Sequence, residues 1–109
     1  MAERQYKTLD AFWPFYLSQH SNGLNRRLHF VGTTLVNVAA LGALASGRPL
    51  WLLACPLFGY GFAWFGHFIV EKNRPATFTY PLWSLLCDYR MYALMLRGRL
   101  WGRLPVSAR

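Results

Sequence analysis

Three histidines and one glutamate carry the clearest chemical signal in the chain. The only histidines are His20, His29 and His67, and Glu71 follows the last of them by four residues. Residues four apart share one face of a helix, so His67 and Glu71 would point the same way. Imidazole and carboxylate ligands suit iron(II), manganese(II) or zinc(II), and a site with open positions activates oxygen or water. Asp88 is a further candidate, either as a ligand or as the acceptor for a histidine N–H. The alternative, which the sequence favours, is a structural ion pair of Asp88 with Arg90 or Arg74.

Two long apolar segments surround these residues. Residues 28–45 and 50–70 contain no Asp, Glu, Lys or Arg, and each approaches the roughly 20 residues that cross a bilayer core. The short linker SGRP joins them, which predicts an antiparallel arrangement. We therefore predict an all-α fold, an integral membrane helical hairpin of two spans within a single domain, residues 1–109.

The hairpin would bring the histidines to one level. If the chain turns near residue 47, His29 and His67 stand 18 and 20 residues from the turn, so at about 1.5 Å per residue their depths differ by only about 3 Å. The turn signal SNG at residues 21–23 lets the preceding helix fold back and bring His20 to the same level. The alternative is that the histidines lie among lipid headgroups and Glu71 pairs with a nearby cation.

The flanking segments are predicted to lie at the membrane surface. Residues 9–20 are rich in aromatic side chains and favour a short N-terminal amphipathic helix. Residues 78–104 are apolar but contain Asp88 and Arg90, and burying these in mid-membrane would cost several kcal/mol unless they pair. A third span would also place several arginines outside, against the positive-inside rule. We predict a C-terminal interfacial or re-entrant helix.

Composition points to lipid partners. The chain has a net charge of +8, yet only 15% of its residues are charged, against about 25% in ordinary soluble domains. The basic residues flank apolar runs and no nucleic-acid motif is present, so we expect membrane lipids and no nucleic acid as partners. The remaining alternative is a soluble helical oligomer that hides the apolar segments, and a homo-oligomer within the membrane also stays open.

Basic residues beside the two spans predict both orientation and binding. Arg26 and Arg27 precede the first span, and Lys72 and Arg74 follow the second, so both termini should be cytoplasmic. The membrane would be the inner membrane of a bacterium or the endoplasmic reticulum of a eukaryote. The side chains that could receive a carboxylate or phosphate headgroup are Asn25, Arg26, Arg27 and Arg74. A plain positive-inside anchor is the alternative for the arginines.

Two longer stretches resemble a known family. Residues 15–33, FYLSQHSNGLNRRLHFVGT, contain H-x4-N-x3-H, formed by His20, Asn25 and His29. Residues 64–91 contain G-H-x3-E-x2-R-P-A, from Gly66 to Ala76. With these patterns in this order over roughly residues 12–98, the chain resembles the fungal 2-hydroxy fatty acid dioxygenases and their bacterial relatives.

The resemblance implies an Fe(II)-dependent membrane enzyme of fatty-acid α-oxidation, which uses O2 to shorten a 2-hydroxy fatty acid by one carbon. His20, His29 and His67 would be iron ligands and catalytic residues, with Glu71 in the same motif. The fungal enzymes rely on four histidines, whereas this chain has three. Glu71 or Asp88 would then replace the missing ligand, or the chain has kept the fold as a non-catalytic membrane protein for lipid binding or assembly.

Overall fold

The computed structural model describes residues 6–101, and the described chain consists of helices joined by short turns. The α-helices are α1 (Leu9–Ser18), α2 (Gly23–Ser46), α3 (Ala54–Trp64) and α4 (Pro81–Leu96). Short 3-10 helices cover Pro49–Leu53 and Ala76–Phe78, and a π-helix covers Phe65–Glu71. The all-α prediction is confirmed.

Two helical segments are long and apolar enough to cross a membrane. These are Gly23–Ser46 and Pro49–Glu71, the second being the first 3-10 helix, α3 and the π-helix in one run. They contain the predicted spans at residues 28–45 and 50–70. Only 22% and 11% of their most apolar stretches are buried within the protein, so most of their apolar surface faces outward. A core helix of a soluble protein would bury that surface.

Small residues let these two segments approach closely. A Cβ atom on Gly32 would lie 2.9 Å from the Cβ of Phe62, and one on Gly42 would lie 2.1 Å from the ring of Trp51. These contacts join an early residue of each segment to a late residue of the other. Between them Gly47 ends α2 with a φ of 70°, a left-handed conformation that glycine adopts without strain.

Helices α1 and α4 form a separate aromatic core. The Thr8 hydroxyl accepts a hydrogen bond from the Ala11 N–H (3.1 Å) and caps α1. One face of α1 is buried and the other exposed, as expected of an amphipathic helix. The buried apolar residues of this core are Phe12, Trp13, Tyr16, Leu17, Tyr80, Cys87, Met91, Met95 and Leu100.

Arg90 lies at the edge of this core. Its guanidinium stands 4.5 Å from the centroid of the Trp13 ring and pairs with the exposed Asp10 at 3.4 Å. Arg90 is therefore not the ion-pair partner of Asp88, and another group must satisfy that carboxylate.

Candidate metal centre

The fold brings three histidines from three elements together. His20 follows α1, His29 lies in α2, and His67 belongs to the π-helix, a rare element that is frequent at functional sites. All three are buried, and one ring nitrogen from each lies within 4.8 Å of the others. Ring centroids are 4.5 Å apart for His20–His29 and His20–His67, and 5.0 Å apart for His29–His67. The sequence predicts that these three histidines lie at one level.

Each ring is oriented through its Nδ1 atom, which lies within hydrogen-bond distance of an oxygen. These oxygens have no hydrogen to donate, so each Nδ1 carries the proton and each Nε2 keeps a free lone pair. Outer partners of this kind fix the tautomer of metal-binding histidines. The contacts are His20 to the Tyr16 carbonyl (2.7 Å), His29 to the Asn25 carbonyl (3.0 Å) and His67 to Asn73 Oδ1 (2.7 Å).

The resulting donor set fits a divalent transition metal. The Nε2 atoms of His20 and His29 are 3.2 Å apart, and two lone pairs at that distance repel unless a cation or proton lies between them. Two nitrogens each about 2.1 Å from one ion would be about 3.0–3.4 Å apart at angles of 90–109°. Burial is the largest cause that lowers the pKa of His20, and charge repulsion from His29 and His67 lowers it further. The lowered pKa favours the neutral ring that a metal requires. The three buried histidines could hold a metal ion.

Glu71 lies beside this group, and its carboxylate is engaged with the start of α2. It accepts hydrogen bonds from the Ser21 hydroxyl (3.1 Å), the Asn22 N–H (2.6 Å) and Asn25 Nδ2 (3.3 Å). A negative charge there is stabilised by the helix dipole. Glu71 thus ties the end of the π-helix to the turn between His20 and α2, and its role as a ligand stays a prediction.

Asn25 explains why a glycine precedes His67. A Cβ atom on Gly66 would lie 1.8 Å from Asn25 Oδ1, so any larger residue collides with this buried amide. Asn25 also supplies the carbonyl that orients His29. The Asn25–Gly66 contact therefore sets the separation of the two helical segments at the level of His29 and His67.

Asn73 is a site residue that sequence reasoning missed. Its Oδ1 accepts the Nδ1–H of His67, and its Nδ2 donates to the Gln19 carbonyl at 3.1 Å. It therefore links the His67 ring to the turn that carries His20. The only available signal was its place among the unassigned positions of the second motif, directly before Arg74.

Replacing Asn73 with alanine is expected to weaken binding of a divalent metal ion about 10- to 100-fold, because the His67 ring loses the acceptor that fixes its tautomer. An anaerobic titration against a chromophoric chelator measures this affinity. Asn37→Ala is the matched control, since the Asn37 amide accepts an exposed hydrogen bond from the Tyr89 hydroxyl (2.7 Å) and contacts none of the three histidines through it. Equal affinities in both variants would contradict the role given to Asn73.

A cavity of about 550 Å³ adjoins the histidines. That volume lies within the 300–1,000 Å³ typical of small-molecule sites. All three histidine residues contribute to its wall, while most of the remaining wall is apolar. Apolar lining residues from α2, α3 and α4 include Val36, Pro56, Gly59, Ala63, Leu82 and Leu85.

A small polar face completes the cavity wall. Tyr16 stacks on the His20 ring with centroids 4.0 Å apart, and its hydroxyl donates to Asp88 Oδ1. Burial raises the pKa of Asp88 to about 7, and the hydrogen bond from Tyr16 acts in the opposite direction. Asp88 lies outside the group of three nitrogens, and its role as an additional ligand or acceptor stays a prediction.

The four residues predicted to bind a carboxylate or phosphate headgroup lie outside this cavity wall. Arg27 and Arg74 are exposed. Asn25 and Arg26 are buried. The Arg26 guanidinium donates to the carbonyls of Leu100 (2.7 Å), His20 (2.6 Å) and Ser21 (2.9 Å). Arg26 thus holds the turn that carries His20, and the headgroup role of all four residues stays a prediction.

Comparison with known families agrees with the two motifs. The family model for 2-hydroxy-palmitic acid dioxygenase Mpo1-like proteins matches residues 6–100. The chain belongs to this Mpo1-like family. The matched range contains the three histidines and every other residue assigned to the candidate centre. The resemblance inferred from the sequence is confirmed.

No significant match to this Mpo1-like chain was found among curated proteins or solved structures. The family name points to dioxygenase chemistry on a hydroxylated fatty acid.

Proposed function

We propose that this protein is a membrane-embedded, Fe(II)-dependent dioxygenase that shortens 2-hydroxy fatty acids by one carbon. One observation carries the proposal: three buried histidines, each with its Nδ1 within hydrogen-bond distance of an oxygen, bring one ring nitrogen each within 4.8 Å of the others beside a largely apolar cavity. The family description supports both the reaction and the substrate class.

The membrane setting rests on the outward apolar surface of the two long helical segments. In our proposal they form a hairpin across the bilayer with both termini cytoplasmic, in the inner membrane of a bacterium or the endoplasmic reticulum of a eukaryote. Helices α1 and α4 would lie at the interface, where aromatic side chains are favoured. Membrane lipids surround the hairpin, and association into a homo-oligomer is compatible with the same surface.

The protein contributes binding, orientation and exclusion of water. His20, His29 and His67 would hold the ion. Bound iron(II) would supply electrons for the activation of O2 and a positive charge that attracts a carboxylate. The apolar wall would accommodate the acyl chain and keep water from the reacting carbon. Glu71 fixes the turn between His20 and α2, so we assign it a positioning part in the reaction.

Headgroups would meet the exposed cations. Arg27 and Arg74 are available at the surface for the carboxylate or phosphate of a lipid. Asn25 and Arg26 would serve the site from inside, because Asn25 orients His29 and Arg26 holds the backbone at His20. The four predicted residues would thus divide into two surface contacts for headgroups and two internal supports of the site.

Oxygen consumption tests the reaction. With 2-hydroxyhexadecanoic acid, the iron-loaded protein should consume one O2 per acid and release an acid one carbon shorter, with CO2 and water completing the balance. An oxygen electrode measures the O2 consumed, and mass spectrometry measures the shortened acid. Hexadecanoic acid is the matched control and should leave O2 unchanged. Absence of O2 uptake by protein with full iron occupancy would refute the proposed activity.

A further inference from the structure

Ser84 is a buried hydroxyl with an unfilled hydrogen-bonding capacity. Its residue is only 2% exposed, and its Oγ has no hydrogen-bond partner among the described residues. Leaving a buried hydroxyl unpaired costs free energy that an alanine would avoid. Ser84 nevertheless lines the same cavity as the three histidines. A ligand in that cavity could satisfy the hydroxyl.

Asp88 offers the complementary group one helical turn away. Residues four apart on α4 share a face, and both Ser84 and Asp88 line the cavity. Within residues 6–101 the Tyr16 hydroxyl is the only hydrogen-bond donor to the Asp88 carboxylate. A carboxylate can accept about four hydrogen bonds, so Asp88 has acceptor capacity to spare. Tyr16 connects it to the His20 ring, which places the polar face beside the metal centre.

This face matches one part of a 2-hydroxy fatty acid better than the others. A hydroxyl both donates and accepts, so it can donate to Asp88 while it accepts from Ser84. The substrate carboxylate only accepts hydrogen bonds, so it has no hydrogen to donate to the acceptor oxygens of Asp88. The hydrocarbon chain satisfies neither residue.

We propose that Ser84 and Asp88 bind the 2-hydroxyl of the substrate and so select hydroxylated over plain fatty acids. The inference rests on the proposed function, because it names the specificity residues of that site. Polar groups built to receive a substrate hydroxyl reject an analogue that lacks it, since they are then left unpaired. Ser84 would remain unpaired in the free protein for this reason.

The test compares the binding of two ligands, the hydroxylated and the plain fatty acid, to two proteins, the wild type and Ser84→Ala. The full chain in lipid nanodiscs is held under anaerobic conditions, so that binding is measured without turnover. Competition against a radiolabelled fatty acid gives the affinity of 2-hydroxyhexadecanoic and hexadecanoic acids for the wild type and Ser84→Ala. Ser84→Ala should lower the affinity for 2-hydroxyhexadecanoic acid about three- to tenfold and leave the affinity for hexadecanoic acid unchanged. Ser46→Ala, at an exposed position near the end of α2, is the matched control.

A second readout separates ligand binding from a structural role. The melting temperature of ligand-free Ser84→Ala should equal or exceed that of the wild type, because the variant removes an unpaired buried hydroxyl. A lower melting temperature with equal losses for both ligands would overturn the inference in favour of a structural serine. A wild type that binds the two acids equally would overturn it as well. Iron content and O2 uptake judge the proposed function separately, so the two failures are distinguishable.

Discussion

Replacing His29 with alanine is expected to lower Fe(II) affinity at least 100-fold. The variant removes one of three converging nitrogens, and loss of a direct ligand costs more than the 10- to 100-fold typical of an outer partner. Anaerobic competition with a chromophoric chelator measures the affinity, and circular dichroism confirms the helical content. Leu41→Ala, an exposed position on the same helix, is the control. Affinity within about threefold of the wild type in His29→Ala would contradict the three-histidine centre.

The other two histidines should behave in the same way. His20→Ala and His67→Ala each remove one ring nitrogen from the same group. Because the ligands act together, the triple variant should be little worse than any single one. Independent, additive losses would indicate three separate interfacial histidines, which is the anchor interpretation of the sequence.

Gly66→Ala is expected to weaken Fe(II) binding at least tenfold and to destabilise the protein by about 1–3 kcal/mol, the usual cost of overpacking. The added methyl would meet Asn25 Oδ1 at 1.8 Å. Either the amide or the π-helix must shift, and both positions support a histidine: Asn25 orients His29, and Gly66 directly precedes His67.

A second glycine provides a close control for this substitution. Nothing lies within 4 Å of a Cβ atom built on Gly61, which belongs to the same helical run. Gly61→Ala should keep the wild-type Fe(II) affinity and leave stability unchanged or slightly higher, because alanine favours helix by about 1 kcal/mol. Chelator competition and thermal denaturation in detergent compare the pair. Identical behaviour of the two variants would remove the steric argument.

The helices and the meeting of the histidines could be predicted from local rules. Long uncharged segments predict membrane-length helices, and a fixed rise per residue predicts which residues meet across a tight turn. The structure brings His29 and His67 together, as that calculation predicts. The SNG signal at residues 21–23 then accounted for His20.

The surroundings of the histidines could not be predicted in the same way. Asn73 orients the His67 ring, and its own side chain is held by a hydrogen bond to the carbonyl of Gln19, which is distant in sequence. Glu71 matches the helix spacing of a ligand, yet its carboxylate contacts the start of α2. Spacing defines a shared face, whereas the partner on that face depends on how the helices are arranged in space.

The polar face of the cavity has a similar origin. Ser84 and Asp88 lie on α4, whose position depends on the aromatic core it shares with α1. From sequence, Asp88 was expected to pair with an arginine, but Arg90 contacts Asp10 and Trp13 instead. Tyr16 takes the place of that cation. No local sequence pattern around Asp88 indicates that its partner is a tyrosine 72 residues away.

The metal content of the wild-type protein tests the central claim most directly. The chain is purified in detergent under anaerobic conditions, and bound metals are measured by inductively coupled plasma mass spectrometry. A centre formed by His20, His29 and His67 predicts near-stoichiometric iron, lost in His29→Ala and His67→Ala. A wild type without iron, even after anaerobic loading, would contradict the dioxygenase account and favour a lipid-binding or assembly role for the same fold.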